Sequence, residues 1–238
     1  MKGIDVSKWQ GDIDWSKVKV DFAIIRAGYG NSNVDPKFVK NYEGCKKYKI
    51  PVGAYWYSYA TTVAEAKAEA KKCISVLKGK KFEFPILFDI EEKAHVALSK
   101  TTCTAIVTAF CQELEKAGYF TGIYSFESFF KSNLDSKISE RFACAVARVP
   151  SKDNGKTVLE PTVPWMIHQY SWKGKINGIN GDVDLDVCNV DYPDIIQKAK
   201  LNGYGKSTLT ATKRNLSDSD AKELMAKCKK LGMTVKLE

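Results

Sequence analysis

The sequence predicts an α/β fold in which strands close into an irregular TIM-like (β/α) barrel. Eight short apolar runs are typical of buried strands, and helical patterns lie between the earlier runs. Eight parallel strands are the number that closes such a barrel. An open doubly wound sheet is the alternative, although no glycine-rich phosphate loop follows the first run.

The predicted elements follow one another in a regular order up to the last third of the chain. The strands cover residues 3–6, 22–27, 52–57, 86–90, 120–125, 142–148, 165–171 and 183–188. Helical patterns cover residues 36–48, 63–77 and 99–117, and a shorter helix begins within 125–130. Between the last three strands, Gly, Pro and Asn residues predict loops. We therefore expect eight strands, about five helices and a sheet that is parallel.

The composition changes after about Asp194, which divides the 238 residues into three parts. Residues 1–195 form the predicted barrel, 196–206 a polar linker and 207–238 a small α+β appendage. The appendage has two strand-like runs around a helix whose N-cap is Ser217 or Asp218. It is too short to be an assured independent domain. A wall-binding element, a docking or dimerisation element and the start of a truncated module are three alternatives for it.

Charge and cysteine content limit the classes of partner. The net charge of +9 fits either a soluble basic surface or attraction to an anionic polymer such as a cell wall. Basic residues are dispersed without interleaved aromatic residues, so we expect no nucleic acid partner. The seven cysteines include no C-x-x-C pair, and with two histidines they predict reduced, buried thiols and no metal site. We expect no cofactor and no membrane insertion, because no apolar run is long enough to span a bilayer.

The run 85–91 ends in two acids that are two residues apart, Asp89 and Glu91. In a strand, residues i and i+2 point to the same face, so both carboxylates project together, roughly 6–7 Å apart. Two carboxylates at the rim of a core cannot both ionise freely, and one holds its proton near neutral pH. A proton-holding acid beside an ionised acid is the chemistry of glycoside cleavage.

Further acids fall on the first and last predicted strands. Asp5 lies on the first strand, and Asp182, Asp184 and Asp186 share one face of the eighth. Barrel closure places those two strands side by side, so we expect Asp5 and Asp184 to be neighbours. In a (β/α) barrel the site lies at the carboxyl ends of the strands. The sequence therefore predicts one acidic cluster at the barrel mouth.

Three motifs along the chain resemble those of one glycosidase family. They are Asp-Val-Ser-Lys-Trp-Gln-Gly at 5–11, Leu-Phe-Asp-Ile-Glu at 87–91 and Gly-Asp-Val-Asp-Leu-Asp at 181–186. Shorter stretches at 24–27, 53–57, 122–125 and 168–170 agree in order. Together they resemble the Chalaropsis-type lysozymes, glycoside hydrolase family 25, over roughly residues 1–195. The ordered set of motifs is specific, whereas any one of them alone is weak.

The resemblance implies an N-acetylmuramidase that cleaves the β-1,4 bond between N-acetylmuramic acid and N-acetylglucosamine in peptidoglycan. It implies that Glu91 is the proton donor, that Asp89 assists the attacking group, and that Asp5 and Asp184 set the field around them. We expect retention through the substrate's own acetamido group, with a direct Asp89 nucleophile or inversion as alternatives. A non-catalytic glycan-binding protein on the same barrel is the second hypothesis.

Substrate contacts are also implied by the resemblance. The residues expected to bind sugar are Arg26, Tyr57, Tyr124, Gln169 and Tyr170. Tyr57 and Tyr124 are favoured over Trp9 and Trp172 as aromatic platforms. The chain departs from the family pattern at Trp56, where many members have His, and at Asp186, where Asn is frequent.

The expected partner is bacterial peptidoglycan, and the expected state is a monomer, with the appendage as a route to a dimer. No leader pattern precedes the first strand, so we expect synthesis in the cytoplasm of a bacterium or phage host and action on the cell wall. Reduced thiols favour a phage or prophage endolysin. Removal of a signal peptide would make the protein extracellular.

Overall fold

The computed structural model describes residues 1–205 and two further strands, 208–211 and 234–237. The described strands are β1 (Lys2–Val6), β2 (Phe22–Tyr29), β3 (Asn33–Val34), β4 (Val52–Tyr57), β5 (Ile86–Asp89), β6 (Thr121–Phe126), β7 (Ala143–Ala147), β8 (Ile167–Gly174), β9 (Val183–Cys188), β10 (Thr208–Ala211) and β11 (Thr234–Leu237). The helices are α1 (Phe38–Lys47), α2 (Val63–Leu77), α3 (Lys93–Val96), α4 (Lys100–Lys116), α5 (Glu127–Ser132), α6 (Ile138–Arg141) and α7 (Tyr192–Lys198), with a 3₁₀ turn at Lys8–Gln10.

Eight of these strands form a closed barrel. Around it the order is β1-β9-β8-β7-β6-β5-β4-β2, and β2 pairs again with β1. The short strand β3 adds a hairpin to β2 and stands outside the closed ring. The α/β barrel and its eight strands are therefore confirmed. The described residues hold seven α-helices where about five were expected. Helices α3, α6 and α7 have only four to seven residues, too few for a helical period to be recognised.

The prediction of a parallel sheet is wrong at one strand, β9. This strand pairs antiparallel with both β8 and β1, whereas the other barrel pairs are parallel. Only residues 175–182 connect β8 to β9. A crossover back to the far end of the barrel needs about ten residues or more, so the chain must turn back directly. The start of β9 therefore lies at the rim where the other strands end.

The barrel has two apolar layers because strand side chains alternate between its faces. The inner layer contains Leu87 and Ile24, and the rings of Phe22 and Phe84 stack at 4.4 Å between centroids. The outer layer contains Trp56 and packs the helices against the sheet. Since Leu87 points inward, Asp89 and Glu91 on the same strand face continue that inward row toward the mouth.

The segment expected to be a linker is held against the barrel by two buried residues, Ile196 and Asn202. Ile196 in α7 is fully buried in the inner layer. Asn202 is also fully buried: its amide group donates to the Phe84 carbonyl at 2.8 Å, and its side-chain oxygen accepts from the Phe120 N–H at 2.7 Å. These two residues anchor the segment to the barrel, while the division into residues 1–195, 196–206 and 207–238 stays a prediction.

Two remaining expectations concern the appendage and the thiols. Strands β10 and β11 pair in parallel, whereas the helix expected from Ser217 lies outside the described residues. Six cysteines are buried free thiols, namely Cys45, Cys73, Cys103, Cys111, Cys144 and Cys188, and Cys228 lies outside the described part of the chain. In that described part, no helix has the length and apolar character needed to cross a membrane.

Candidate active site

The mouth of the barrel holds a cavity of about 210 Å³. Eight of the nine site residues expected from the sequence line it: Asp5, Arg26, Tyr57, Asp89, Glu91, Tyr124, Gln169 and Asp184. They come from seven of the eight barrel strands and the turn after β5, and most are far apart in sequence. Barrel closure therefore assembles this acidic and aromatic site from residues that no local motif connects.

Asp5 and Asp184 are direct cross-strand partners in the β1–β9 pair. Gln169 joins them, because its amide Nε2 donates to Asp5 Oδ2 at 2.7 Å and to Asp184 Oδ2 at 3.5 Å. Burial raises the pKa of Asp5 to about 6, opposed by the hydrogen bonds from Gln169 and Asp184. Burial and the charge of Asp5 raise the pKa of Asp184 to about 9. At neutral pH a protonated Asp184 thus donates to an ionised Asp5.

Asp89 and Glu91 lie across the cavity at the end of β5. Burial, followed by the charge of Glu91, raises the pKa of Asp89 well above its usual range, and the Arg26 charge opposes this. Burial and the charge of Asp5 raise the pKa of Glu91 to about 7. Asp89 Oδ1 and Glu91 Oε2 are buried oxygens with no hydrogen-bond partner among the described residues. Buried acceptors without a partner are rare in proteins, so two of them in one cavity mark this pair as a candidate functional site.

The backbone under this pair is held by its neighbouring strands. The Asp89 carbonyl accepts from the Ser58 N–H at 2.9 Å, and the Ile90 N–H donates to the Tyr124 carbonyl at 3.0 Å. The Ser125 hydroxyl donates to the Ile90 carbonyl at 2.5 Å. These bonds fix the two carboxyl groups on a rigid support, which a catalytic pair requires.

Arg26 is held in the cavity wall by a buried ion pair. Its Nε donates to Asp35 Oδ2 at 2.7 Å, and both side chains are almost completely buried. Its Nη2 is buried without a partner among the described residues. The sequence did not predict a role for Asp35, because this residue lies in the connection between β3 and α1 and no spacing relates it to the acids of the mouth. The ion pair engages only the Nε atom of the guanidinium group.

Three polar aromatic side chains surround the acids. Tyr57 donates its hydroxyl to Glu92 Oε1 at 2.7 Å, which was not foreseen from the sequence. Tyr124 and Trp172 both donate to Gln169 Oε1 at 2.8 Å, and this orients the Gln169 amide toward Asp5. Trp172, rated below Tyr57 and Tyr124 on sequence grounds, therefore supports the acidic cluster.

The structure does not bring Tyr170 to the cavity. Its neighbour Gln169 points inward, so the strand alternation turns Tyr170 outward, where it packs on the outer apolar layer. The β8–β9 register shifts between Gln169 and Ser171, which marks a bulge. Trp9, the other tryptophan rated low, does line the cavity. Its position just after β1, at the carboxyl end of a barrel strand, was the sequence feature that could have predicted this.

Asp186 lies deeper in the barrel than the other acids. It is the cross-strand partner of Gly3, two residues below the Asp5–Asp184 pair, and it is 4% exposed. Burial, with smaller contributions from the charges of Asp5 and Asp184, raises its pKa well above the usual range. Among the described residues no group of three or more His, Cys, Asp or Glu side chains is arranged to hold a metal ion.

Comparison with known proteins agrees with this geometry. The family model described as Glycosyl hydrolases family 25 matches residues 4–179. The chain belongs to glycosyl hydrolase family 25. Over 199 residues it is 32% identical to the uncharacterized protein YegX of Escherichia coli O157:H7. The matched region covers 79% of this chain and 69% of YegX.

Two proteins named as lysozymes are similar as well. Lysozyme M1 of Streptomyces globisporus is 29% identical over 212 residues, covering 79% of this chain and 68% of that enzyme. The crystal structure of the lysozyme from Streptomyces coelicolor superposes with a TM-score of 0.70 at 27% identity, covering 86% of this chain and 98% of that one. The present family 25 chain is accordingly a glycoside hydrolase of the lysozyme class.

Proposed function

We propose that this enzyme cleaves the β-1,4 bond between N-acetylmuramic acid and N-acetylglucosamine in peptidoglycan. The observation that carries the proposal is the Asp89–Glu91 pair, in which each acid keeps one buried oxygen without a protein partner at the cavity. The lysozymes among its relatives supply the substrate class. The second hypothesis, a glycan-binding barrel without catalysis, is disfavoured because all four expected acids line one cavity.

Glu91 is the general acid of the proposed mechanism. With a pKa raised to about 7, it is substantially protonated at neutral pH. It is less buried than Asp89, so it is the member of the pair that a glycosidic oxygen can reach. Glu91 transfers its proton to that oxygen as the C–O bond breaks, and the resulting carboxylate later takes a proton from the attacking water.

Asp89 assists the group that attacks the anomeric carbon. Its orphan Oδ1 accepts from the N–H of the substrate's 2-acetamido group, so that the acetamido oxygen is directed at the anomeric carbon. Attack forms a cyclic oxazolinium ion, and water then opens it with net retention of configuration. Asp89 Oδ1 can accept the acetamido N–H whether or not the other Asp89 oxygen carries a proton. Burial raises the pKa of Asp89, and the Arg26 charge opposes that rise. Direct attack by Asp89 and inversion by water are the competing routes.

Asp5 and Asp184 stabilise the positive charge that develops on the sugar. Ionised Asp5 is kept in place by Gln169 and by protonated Asp184, and its field acts on the same cavity as Glu91. A preorganised negative charge of this kind is effective because it needs no rearrangement during the reaction.

The general-acid assignment is tested with Glu91→Gln. Gln keeps the shape of the side chain but has no proton to donate, so turbidity loss of purified cell walls should slow by about 10²–10⁴-fold. Glu140→Gln is the matched control, because Glu140 is an exposed residue of α6 away from the cavity. If Glu91→Gln clears walls as fast as the unaltered protein, the assignment fails.

Product stereochemistry separates the two retaining routes from inversion by water. Proton NMR of the first-formed products should show the β-anomer at the new reducing end before mutarotation. The α-anomer would favour inversion and exclude substrate assistance. Walls that bind the protein but release no reducing ends would favour the glycan-binding hypothesis.

A further inference from the structure

A row of three aromatic residues, two exposed and one partly buried, continues from the cavity across the ends of β1, β2 and β4. We call Lys8, Trp9, Tyr29 and Tyr59 the aromatic rim. Trp9 is 76% exposed and Tyr59 is 52% exposed, which is unusual for such large rings. Exposed aromatic groups clustered beside a cavity commonly mark a binding surface.

The members of the aromatic rim form a continuous series of contacts in space. The ring centroid of Tyr59 lies 5.4 Å from that of Tyr57, a cavity residue, and 6.4 Å from that of Tyr29. Lys8 Nζ lies 5.7 Å from the Tyr29 centroid and 4.8 Å from the Trp9 centroid. Since Trp9 also lines the cavity, the rim begins and ends at the cavity mouth.

The backbone holds Trp9 rigidly although its ring is in solvent. Ser7 and Gln10 form a capping box around the 3₁₀ turn, in which the Trp9 N–H donates to Ser7 Oγ at 3.2 Å and the Ser7 N–H donates to Gln10 Oε1 at 2.8 Å. The Lys8 N–H donates to buried Asp35 at 3.1 Å. A fixed platform loses little conformational entropy when a ligand binds.

The rim offers two kinds of contact. Aromatic faces provide large rigid surfaces that can cover the apolar C–H face of a sugar ring. The Lys8 ammonium adds a positive charge, which is attracted to a carboxylate. The cavity itself is lined by acids, so Lys8 is a basic group next to an acidic one, suited to a different part of the ligand.

We propose that the aromatic rim is an additional binding subsite that holds an acetamido sugar of the same glycan strand, next to the sugars in the cavity, with Lys8 pairing to a carboxylate on the lactyl–peptide substituent of that sugar. The occupant follows from continuity: a strand bound in the cavity has to leave it across the mouth, and the rim covers the side formed by β1, β2 and β4. The inference rests on the proposed function, because it takes peptidoglycan strands as the substrate.

Strand length is the variable that tests the subsite. Soluble peptidoglycan strands of increasing numbers of disaccharide units are hydrolysed by the unaltered enzyme, by Tyr59→Ala and by Trp9→Ala. We expect the ratio of kcat/KM for long over short strands to fall about tenfold in Tyr59→Ala, mainly through KM, because a binding contact outside the reacting bond is lost. Tyr59→Phe should restore the ratio. An unchanged ratio in both alanine variants would overturn the proposal.

A matched control exists in another aromatic and lysine pair. Tyr48 is 42% exposed and Lys47 Nζ lies 5.3 Å from its ring, but neither residue lines the cavity. Tyr48→Ala should therefore keep the length preference of the unaltered enzyme. If Tyr48→Ala reduced the ratio as much as Tyr59→Ala, the effect would belong to the surface in general and the proposal would fail.

The role of Lys8 is tested by binding in the Glu91→Gln background. Adding Lys8→Gln should weaken binding of muramic acid strands severalfold while leaving binding of neutral N-acetylglucosamine oligomers nearly unchanged. Equal losses for both ligands would overturn the carboxylate contact. If the unaltered protein releases no reducing ends from walls, the proposed function fails. If it does release them but the rim variants keep full length preference, only the subsite fails.

Discussion

The acids of the cavity share one inward-facing surface but differ in protonation. Asp5 has the lowest pKa of those with assigned values, about 6, because it accepts hydrogen bonds from Gln169 and Asp184. Asp184 and Glu91 reach about 9 and about 7 because burial and the charge of Asp5 disfavour their ionised forms. Differences of this kind separate acid from base roles among like groups.

The pH dependence of hydrolysis follows from these values. Glu91 acts in its protonated form, so kcat/KM on a soluble glycan should fall as pH rises through about 7. Asp5 acts in its ionised form, so the rate should also fall as pH drops through about 6. A narrow bell with its maximum between these values is expected. A rate that keeps rising into the alkaline range would contradict the acid role of Glu91.

Asp186 provides a stability prediction. Its pKa is raised in the folded state, so the folded protein holds a proton that the unfolded chain releases. The free energy of unfolding is therefore highest with respect to this group at low pH, where both states are protonated, and it falls as pH rises. At neutral pH Asp186 lowers the stability of the folded protein. Asp186→Asn should raise the melting temperature at neutral pH by about 2–4 °C for each 1 kcal/mol gained, with a smaller gain near pH 4.

The control for this prediction is Asp182→Asn. Asp182 lies two residues before the Asp5–Asp184 pair but is exposed and contacts Lys175 at the surface. We expect its replacement to change the melting temperature little at either pH. If Asp186→Asn raised the melting temperature equally at both pH values, the raised pKa of Asp186 would not be the cause of the gain.

Residue-level prediction succeeded where strand alternation decides the outcome. The i and i+2 spacing was enough to place Asp89 and Glu91 on one face, and the structure puts both in the cavity. For Tyr170 the structure gives another position than the one expected, because neighbouring residues of a strand face opposite sides and Gln169 takes the inward side. The inherent limit is that an alternating pattern shows which residues share a face but not which face is inside.

At the scale of elements, β9 shows what periodicity leaves out. Its apolar pattern predicted a strand correctly, but alternation is the same in either direction, and the direction had to come from the length of the connection before it. The reversal matters for the site, since it brings the start of β9, with Asp184, to the ends of the parallel strands. A parallel β9 would have placed Asp186 or Cys188 nearer the mouth.

The segment after α7 gives a prediction at the same scale. Asn202→Ala removes both side-chain hydrogen bonds and leaves the buried Phe84 carbonyl and Phe120 N–H without partners. The free energy of unfolding should fall by about 2–4 kcal/mol, measured by denaturant titration, with kcat unchanged for the folded fraction. Exposed Asn180→Ala is the control. Equal stability of Asn202→Ala and the unaltered protein would show that residues 196–204 behave as a linker.

For the whole molecule, function depends on closure of the barrel. Asp5 and Asp184 are 179 positions apart, yet pairing of β1 with β9 makes them neighbours. The count of eight strands predicted this contact, because a closed ring has to join its first and last members. Hydrogen bonds such as Arg26–Asp35 and Tyr57–Glu92 could not be predicted, since they depend on how loops between strands settle over the mouth.

The measurement that tests the account most directly is the identity of the sugar at the new reducing ends. Purified cell walls are digested, the released ends are reduced with borohydride, and the resulting sugar alcohols are separated after acid hydrolysis. The proposed bond specificity predicts that the alcohol derived from muramic acid accumulates and that Glu91→Gln prevents it. Accumulation of the alcohol derived from glucosamine instead would contradict it.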